Sequence, residues 1–316
     1  MTEKPAMTGP LVSVVIPTYN RRAELQRAID SVLAQDYEPY EIIIVDDAST
    51  IDVSLALPKT AEGLLRWITL ERNRGGATAR NTGLDAAGGE VVALLDSDDV
   101  WTSDKLSRQV ATYLEDGRPQ DSVYYSQVVL DRGVERLTLP ERGLAEGESV
   151  GDYLFPWRGN LIHTSSLFMS RDLARRVRFT DDLRIHQDVD FCLRLQQAGA
   201  VFRYHPEPLS RWHAEDRKDR MSYRPKFLLS LDWLATTHDL MPLETRRKFA
   251  AQLASKMPAH VWRNPGAVLM GLWRCWREGY ISWRYVLRLL SQFVLPSRWS
   301  DGLARALKTT KPAASG

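Results

Sequence analysis

The 316-residue chain has only two cysteines, Cys192 and Cys275, far apart and in no C-x-x-C or zinc-ligand spacing. A disulfide framework is therefore not expected, and a reduced cytosolic setting is the simpler reading. The opening MTEKPAMTGP lacks an apolar segment, so no secretory signal is expected. No stretch approaches the roughly 18 uncharged apolar residues that a membrane span needs. Three signatures are missing as well: G-x-G-x-x-G after the first strand, G-x-x-x-x-G-K-[ST], and G-x-S-x-G. Dinucleotide dehydrogenases, P-loop NTPases and α/β-hydrolases are accordingly poor fits. Neither internal repeats nor a low-complexity tract beyond the last few residues breaks the pattern.

What is present suits a globular α/β protein. Apolar residues make up 44% of the chain, enough for a real core. The length allows one large domain with an appendage, or two small domains. The net charge of +2 hides an asymmetry. Residues 241–316 hold 13 Lys+Arg against 3 Asp+Glu, whereas residues 1–240 hold 29 against 37. Five of the ten tryptophans, Trp262, Trp273, Trp276, Trp283 and Trp299, fall in that basic tail. Such a separation points to two regions with different partners, here 1–220 and 221–316.

Buried-strand runs alternate with amphipathic segments. LVSVVI (11–16), EIIIV (41–45), LLRWITL (64–70) and EVVALL (90–95) read as strands. Residues 21–34 place Leu25, Ile29, Val32 and Leu33 on one helical face, with Asn20 as N-cap. Residues 76–89 form a helix ending in glycines. This alternation predicts a mostly parallel, Rossmann-like central sheet flanked by helices. Ligands in such sheets bind at the carboxyl ends of the strands. The polar clusters Pro17-Thr18-Tyr19-Asn20, Asp46-Asp47-Ala48-Ser49-Thr50 and Asp96-Ser97-Asp98-Asp99 fall at those ends.

Farther on, 104–116 reads as a helix, and 124–130 with 134–139 as a hairpin about Asp131-Arg132-Gly133. Residues 140–164 read as a Gly/Pro-rich loop with a short helix, 165–170 as a strand, 189–199 as an amphipathic helix and 201–205 as a strand. From residue 225 the pattern is helical, broken by Pro242, Pro258, Pro265 and Pro296.

Asp96, Asp98 and Asp99 crowd one turn. Two carboxylates about 4 Å apart repel by roughly 4 kcal/mol at an effective dielectric near 20. Protonation, solvation or a bound cation relieves this. Hard oxygen ligands favour Mg2+ or Mn2+, which would bridge the turn to a diphosphate. The plainer alternative is a solvated turn capping the next helix. Asp47 or Ser49 has a similar alternative, as N-cap of a helix over 52–57. A carboxylate there could equally accept a hydrogen bond from a uracil N–H or a ribose hydroxyl.

Taken together and in order, VSVVIPTYNR, IIIVDDAST, ARNTGL, GGEVVALLDSDD and QDVDFCLRL resemble the inverting family 2 glycosyltransferases of the GT-A fold. The likeness covers roughly residues 11–215 and is of the non-processive type. It implies a nucleotide-sugar donor, foremost a UDP-sugar, Mn2+ or Mg2+ as cofactor, and a glycan or lipid-linked acceptor. Pro17 and Tyr19 would line the nucleobase pocket. Asp47 would contact uracil with Asp46 beside it, and Arg80 and Asn81 would support the nucleotide. Asp96-Ser97-Asp98 resembles the D-x-D signature, with Asp98 ligating the metal and Asp96 near the ribose or a metal-bound water. Asp188 falls at the position of the general base. The usual Glu-Asp pair is Gln187-Asp188 here, which removes a neighbouring charge. Asp188 as a mere N-cap of helix 189–198 is the alternative. His213 sits where relatives carry a basic residue near the diphosphate, and it joins Asp98 and Asp96 as a metal candidate. The Gln-x-x-Arg-Trp signature of processive synthases is not matched, because Pro208 precedes Leu209-Ser210-Arg211-Trp212.

A catalytically inactive sugar-nucleotide-binding scaffold and a nucleotidyltransferase are the competing readings. The first would not need Asp96, Asp98 and Asp188 together. The second would want a Gly-rich basic loop where PTYNRR stands. Sugar and acceptor choice are expected in 140–164, including Trp157, Arg158, Asn160 and His163, and in the tail. Residues 259–308 read as helices with Trp, Leu, Val and Tyr on one side and Arg on the other. Such a surface suits an anionic membrane interface on the cytoplasmic side. Packing on the catalytic core or an oligomer contact are the alternatives. No nucleic-acid module is recognisable, so nucleic acid is not an expected partner.

Overall fold

The first strand, β1 (Val12–Thr18), is buried at all seven positions. Its β-branched residues face packed layers on both sides, as the interior strand of a parallel sheet requires. In the computed structural model the described residues are 9–56, 63–133, 135–155, 159–213, 226–257 and 264–294. Trp157, Arg158, Pro258, Trp262, Pro296 and Trp299 lie outside them. The chain forms two compact units, Met1–Lys218 and Asp219–Gly316.

In the first unit β1 pairs in parallel with β2 (Tyr40–Asp46) and β4 (Val91–Leu94), and β2 with β3 (Leu65–Thr69). The connecting helices are α1 (Arg22–Leu33) and α2 (Gly76–Ala86). α1 buries Leu25, Ala28, Ile29 and Val32, an i, i+3, i+4, i+7 stripe. α2 lies close against β1. A Cβ on Gly83 would come within 2.3 Å of Val15 Cγ1, so no larger side chain fits without movement. Every strand-end cluster noted above thus emerges on one edge of the sheet.

Beyond β4 the sheet turns mixed. Its order is β3-β2-β1-β4-β8-β6-β9-β5, with β7 paired to β6. These strands are β5 (Val100–Trp101), β6 (Ser122–Asp131), β7 (Arg136–Leu139), β8 (Phe168–Ser170) and β9 (Val201–His213). β8 runs antiparallel between β4 and β6, and β9 returns parallel to β6. The expected hairpin is present as β6 and β7, tied by Arg136 Nε on Asp131 Oδ2 at 3.0 Å. Helices α3 (Lys105–Glu115), α4 (Val150–Leu154), α5 (Arg171–Val177) and α6 (Gln187–Gln197) complete the unit.

Four local expectations need correction. Asn20 does not cap α1; it adopts φ 54° and its Oδ1 accepts the Thr50 N–H at 2.8 Å, bridging two strand-end loops. The helix expected over 52–57 is a 3-10 turn, Ser54–Ala56, and Asp52 rather than Asp47 or Ser49 accepts its Ser54 N–H at 3.0 Å. Asp188 is not an N-cap; α6 begins at Gln187 after a left-handed His186. The strand expected over 201–205 runs on to His213, because its ladder with β6 absorbs Pro206 and Pro208 through register shifts near Gln127.

The second unit holds α7 (Lys226–Ala235), α8 (Leu243–Lys256), α9 (Pro265–Arg277) and α10 (Trp283–Val294). Its interior includes Phe227, Leu231, Trp233, Phe249, Val268, Leu272 and Leu289. No helix among the described residues is long and apolar enough to cross a membrane.

Candidate active site

Asp46 closes β2 and is paired across the sheet with Thr18 of β1 and Thr69 of β3. Its Oδ1 accepts both the Ser49 N–H at 3.0 Å and the Ser49 hydroxyl at 2.6 Å. Both Asp47 oxygens accept from the chain ahead of α2. Arg74 N–H donates to Oδ1 and Gly75 N–H to Oδ2, each at 2.7 Å. Gly75, at φ +90°, makes the turn that aims both amides at one carboxylate. Asp47 thereby sets where α2 begins, and the electropositive N-terminus of α2 faces the strand ends. Pro17 is buried in β1, while the Tyr19 ring beyond it is 40% exposed.

One turn into α2 stands Arg80. Its Nη2 donates in a short contact to Asp96 Oδ1, and its Nη1 donates to Gln187 Oε1 at 2.8 Å. The guanidinium also lies over the Phe179 ring, 5.3 Å from its centroid. Burial alone would raise the Asp96 pKa, but Arg80, with His163 and Arg21, holds it below the usual carboxylate value. Asn81 brackets segment 179–181. Its Nδ2 donates to Phe179 O at 2.9 Å and Asp181 Oδ1 at 3.0 Å, and its Oδ1 accepts from Phe179 N.

The acidic turn after β4 is closed by Asp99 N–H donating to Asp96 O at 3.0 Å, with Ser97 buried inside it. Its two other carboxylates differ. Asp98 faces Arg21, Nη1 to Oδ1 at 2.7 Å, near the surface. Asp99 is 1% exposed. Its Oδ2 accepts from Ser165 Oγ at 2.6 Å, and its Oδ1 from the His213 N–H at 3.3 Å. Burial, with Asp96 and Asp98 adding and His163 opposing, pushes its pKa up to about 7.

The turn Thr164–Ser166 is the hub that joins these groups. Ser165 Oγ also accepts the Asp96 N–H at 3.0 Å, and Ser165 O accepts Trp101 Nε1–H at 2.8 Å. His163 Nδ1 lies 3.6 Å from Asp99 Oδ2, and its ring packs against Trp212 at a tilt of 33°, centroids 4.8 Å apart.

Asp96, Asp99 and His163 offer ligand atoms within 4.8 Å of one another. Among the described residues, His213 Nδ1 is buried without a hydrogen-bond partner. Carboxylate oxygens with an imidazole nitrogen suit Mn2+ or Mg2+, so the donor set fits the expected cofactor. Asp99 and His163 belong to this constellation; the sequence marks Asp99 only as one of three crowded carboxylates that a cation could relieve, and it links His163 to none of them. The adjacent carboxylates in DSDD were the only hint of Asp99, and His163 stood in a loop with no periodic pattern.

Asp188 occupies the first turn of α6, partly open to solvent, and its Oδ1 accepts the Val189 N–H at 2.9 Å. Gln187 beside it reaches Arg80, so the α6 N-terminus, the α2 N-terminus and the β4 turn are linked through one guanidinium. Asn160 is turned to the backbone of α4, donating to Tyr153 O at 2.9 Å.

Comparison with known proteins identifies the family and the fold. Residues 13–176 match glycosyl transferase family 2. The chain is similar to the amylovoran biosynthesis glycosyltransferase AmsB of Erwinia amylovora, with 34% identity over 253 residues, 78% of this chain and 83% of that one. Its fold is shared with S. aureus TarS 1-349 in complex with UDP-GlcNAc, with TM-score 0.59, 18% identity, and coverage of 94% of this chain and 90% of that one. It is shared also with the mannosyltransferase PcManGT of Pyrobaculum calidifontis in complex with GDP-Man and Mn2+, with TM-score 0.56, 20% identity, and coverage of 94% and 85%. With the family matched along half the chain and the sheet edge assembled as described, the chain belongs to glycosyl transferase family 2 and is a glycosyltransferase of the GT-A fold.

Proposed function

We propose that the protein transfers a sugar from a nucleoside-diphosphate sugar, foremost a UDP-sugar, to a hydroxyl of a glycan or lipid-linked acceptor. Transfer is metal-dependent and inverts the anomeric carbon, and it serves cell-surface polysaccharide or glycoconjugate synthesis. The observation that carries this reading is the hydrogen-bonded chain from Gln187 through Arg80 to Asp96, which draws the α6 base candidate and the D-x-D turn to one sheet edge. AmsB, named for amylovoran biosynthesis, supports the polysaccharide setting.

The nucleoside binds against Pro17 and Tyr19. The exposed Tyr19 ring offers a flat apolar face to the base. Asp46 accepts from ribose hydroxyls, and Asp47, whose two oxygens already take the Arg74 and Gly75 N–H groups, accepts the uracil N–H through a remaining lone pair. Arg80 and the α2 N-terminus supply positive potential for the phosphates. A bound Mn2+ or Mg2+ would stabilise the negative charge on the departing diphosphate as a Lewis acid. Asp98, Asp96 and His213 are the residues that would hold it. Asp99 and His163 brace them, because both Asp99 oxygens are already hydrogen-bonded in the interior. A substrate-bridging ion instead needs ligands with open neighbouring positions. Asp188 takes the proton from the acceptor hydroxyl, which attacks the anomeric carbon from the face opposite the diphosphate.

Nucleotide release from a panel of UDP- and GDP-sugars, with and without Mn2+, tests the reading. Mn2+-dependent release from a UDP-sugar that rises on addition of a lipid-diphosphate saccharide supports it. Equal release with and without metal, or release of pyrophosphate in place of UDP, contradicts it.

A further inference from the structure

The second unit carries an apolar surface that its own core does not use. α9 turns Val268, Gly271, Leu272 and Cys275 inward, a clean i, i+3, i+4, i+7 stripe. That stripe satisfies the helix as a packing element. Leu269, Met270, Trp273 and Trp276 lie on the opposite side. α10 repeats the pattern with Leu289 buried and Trp283 and Leu287, one turn apart, outward. These six side chains are between 47% and 55% exposed. Scattered single apolar residues on a surface need no explanation, but six large ones on two consecutive helices do.

The charged residues of these two helices are mostly cationic, although Arg274 is paired with Asp232 of α7, Nη1 to Oδ1 at 2.7 Å. Between 264 and 294 the charged residues are Arg274, Arg277, Arg284 and Arg288 against Glu278 alone. Arg277 sits over the Trp273 ring, 5.2 Å from its centroid, and Arg284 over the Trp283 ring at 5.7 Å. Cations are thus held beside the exposed indoles. Residues 295–316 add Arg298, Arg305, Lys308 and Lys311 against Asp301. Tryptophan prefers the headgroup level, where its ring is apolar and its N–H is wet. Arginine beside it meets lipid phosphate. Protein interfaces enrich Trp and Arg too, but a self-association surface would have to place this concentrated positive charge against itself.

We infer that the outward faces of α9 and α10 dock the protein on an anionic lipid surface. Trp273, Trp276 and Trp283 enter the headgroup region, and the arginines contact phosphate. Docking would bring the catalytic unit to acceptors carried on lipid, but the binding itself does not rest on the proposed reaction.

Co-sedimentation of the full chain with vesicles tests this. One set is pure phosphatidylcholine, and the other contains about one-third phosphatidylglycerol, an anionic fraction on which a basic patch should act. The expected result is binding to the anionic set alone, weakened by added salt, with a blue shift of tryptophan fluorescence. The triple variant Trp273→Ser/Trp276→Ser/Trp283→Ser should lose at least tenfold in vesicle affinity. Arg284→Glu/Arg288→Glu should lose a similar factor by charge alone. Circular dichroism checks that each variant remains folded, and metal-dependent nucleotide release should persist in both. No wild-type binding to anionic vesicles, or unchanged binding by both variants, overturns the inference. A wild-type oligomer that the tryptophan variant dissolves, without vesicle binding by either, overturns it and assigns the face to a second copy of the chain. Loss of nucleotide release in the wild type would instead count against the proposed reaction.

Discussion

Gln187 Oε1 accepts a hydrogen bond from Arg80 Nη1 at 2.8 Å, and the same guanidinium serves Asp96. A neutral amide here leaves the full Arg80 charge to Asp96. Gln187→Glu would place a carboxylate against the same guanidinium and compete for it. We expect that variant to tighten Mn2+ binding by about threefold, within the range of a partly screened ion pair. Turnover should stay within about tenfold of the wild type, since Gln187 is not asked to move a proton. Calorimetric titration with Mn2+ and UDP reads the first effect. An unchanged or weaker Mn2+ affinity would show that Arg80 does not divide its charge in this way.

Asp98 and Asp99 are neighbours with opposite environments, one near the surface beside Arg21 and the other enclosed by Ser165 and His213. Asp98→Ala should weaken Mn2+-dependent UDP binding by tenfold or more. Asp99→Asn, which keeps shape and most hydrogen-bonding capacity, should change it by less than about threefold, although losing part of the buried network costs around 1–2 kcal/mol of stability. The reverse ranking in a Mn2+ titration would place the ion inside the Asp96–Asp99–His163 cluster.

Asp47 accepts two backbone N–H groups, at 2.7 Å each, through a carboxylate. Asp47→Asn would turn one acceptor into a donor facing an N–H. Charge-assisted bonds of this kind lead us to expect a loss of about 2–3 kcal/mol in unfolding free energy. Urea denaturation measures it. A loss below about 0.5 kcal/mol would mean that the loop ahead of α2 is held by something else.

How far the site could be read before folding depended on the range of its contacts. The strand-end clusters were legible because period and punctuation are local, and β1, β2 and β4 fall where LVSVVI, EIIIV and EVVALL stood. Partners remote in the chain were not legible. Asp47 finds Arg74 and Gly75, 27 and 28 residues on, and Asp99 finds Ser165 across 66 residues. β9 was cut short in the sequence reading because Pro206 and Pro208 look like breakers until the irregular ladder with β6 is seen. Asn20 was read as a cap because its type favours one, and only its left-handed backbone shows it turned to Thr50 instead. In the tail, the sequence showed Trp and Arg on helices, but not that Trp233 faces inward while Trp273, Trp276 and Trp283 face outward.

Lys105 supplies a test of the packing behind the site. It is fully buried between the Trp101 ring, 4.1 Å from Nζ, and Gln109 Oε1, and burial lowers its pKa well below 10.5. The folded chain therefore binds fewer protons here than the unfolded chain between the depressed pKa and the ordinary one. Stability should rise with pH through that window, toward the unfolded lysine value. Lys105→Met removes this contribution. Urea midpoints at neutral and mildly alkaline pH should climb in the wild type and climb less in the variant. Parallel slopes in the two proteins would mean that Lys105 is charged in the fold.

In the proposed reaction Asp188 removes the acceptor proton while the carboxylate-lined edge holds the donor. Asp188→Asn keeps the size of the side chain and removes the base. Sugar transfer and UDP-sugar binding, measured side by side in the presence of Mn2+, separate the two functions. We predict that transfer falls by at least about a thousandfold, within the span that general-base removal produces, while the dissociation constant for UDP-sugar stays within about threefold. Near-normal turnover by Asp188→Asn would contradict the account.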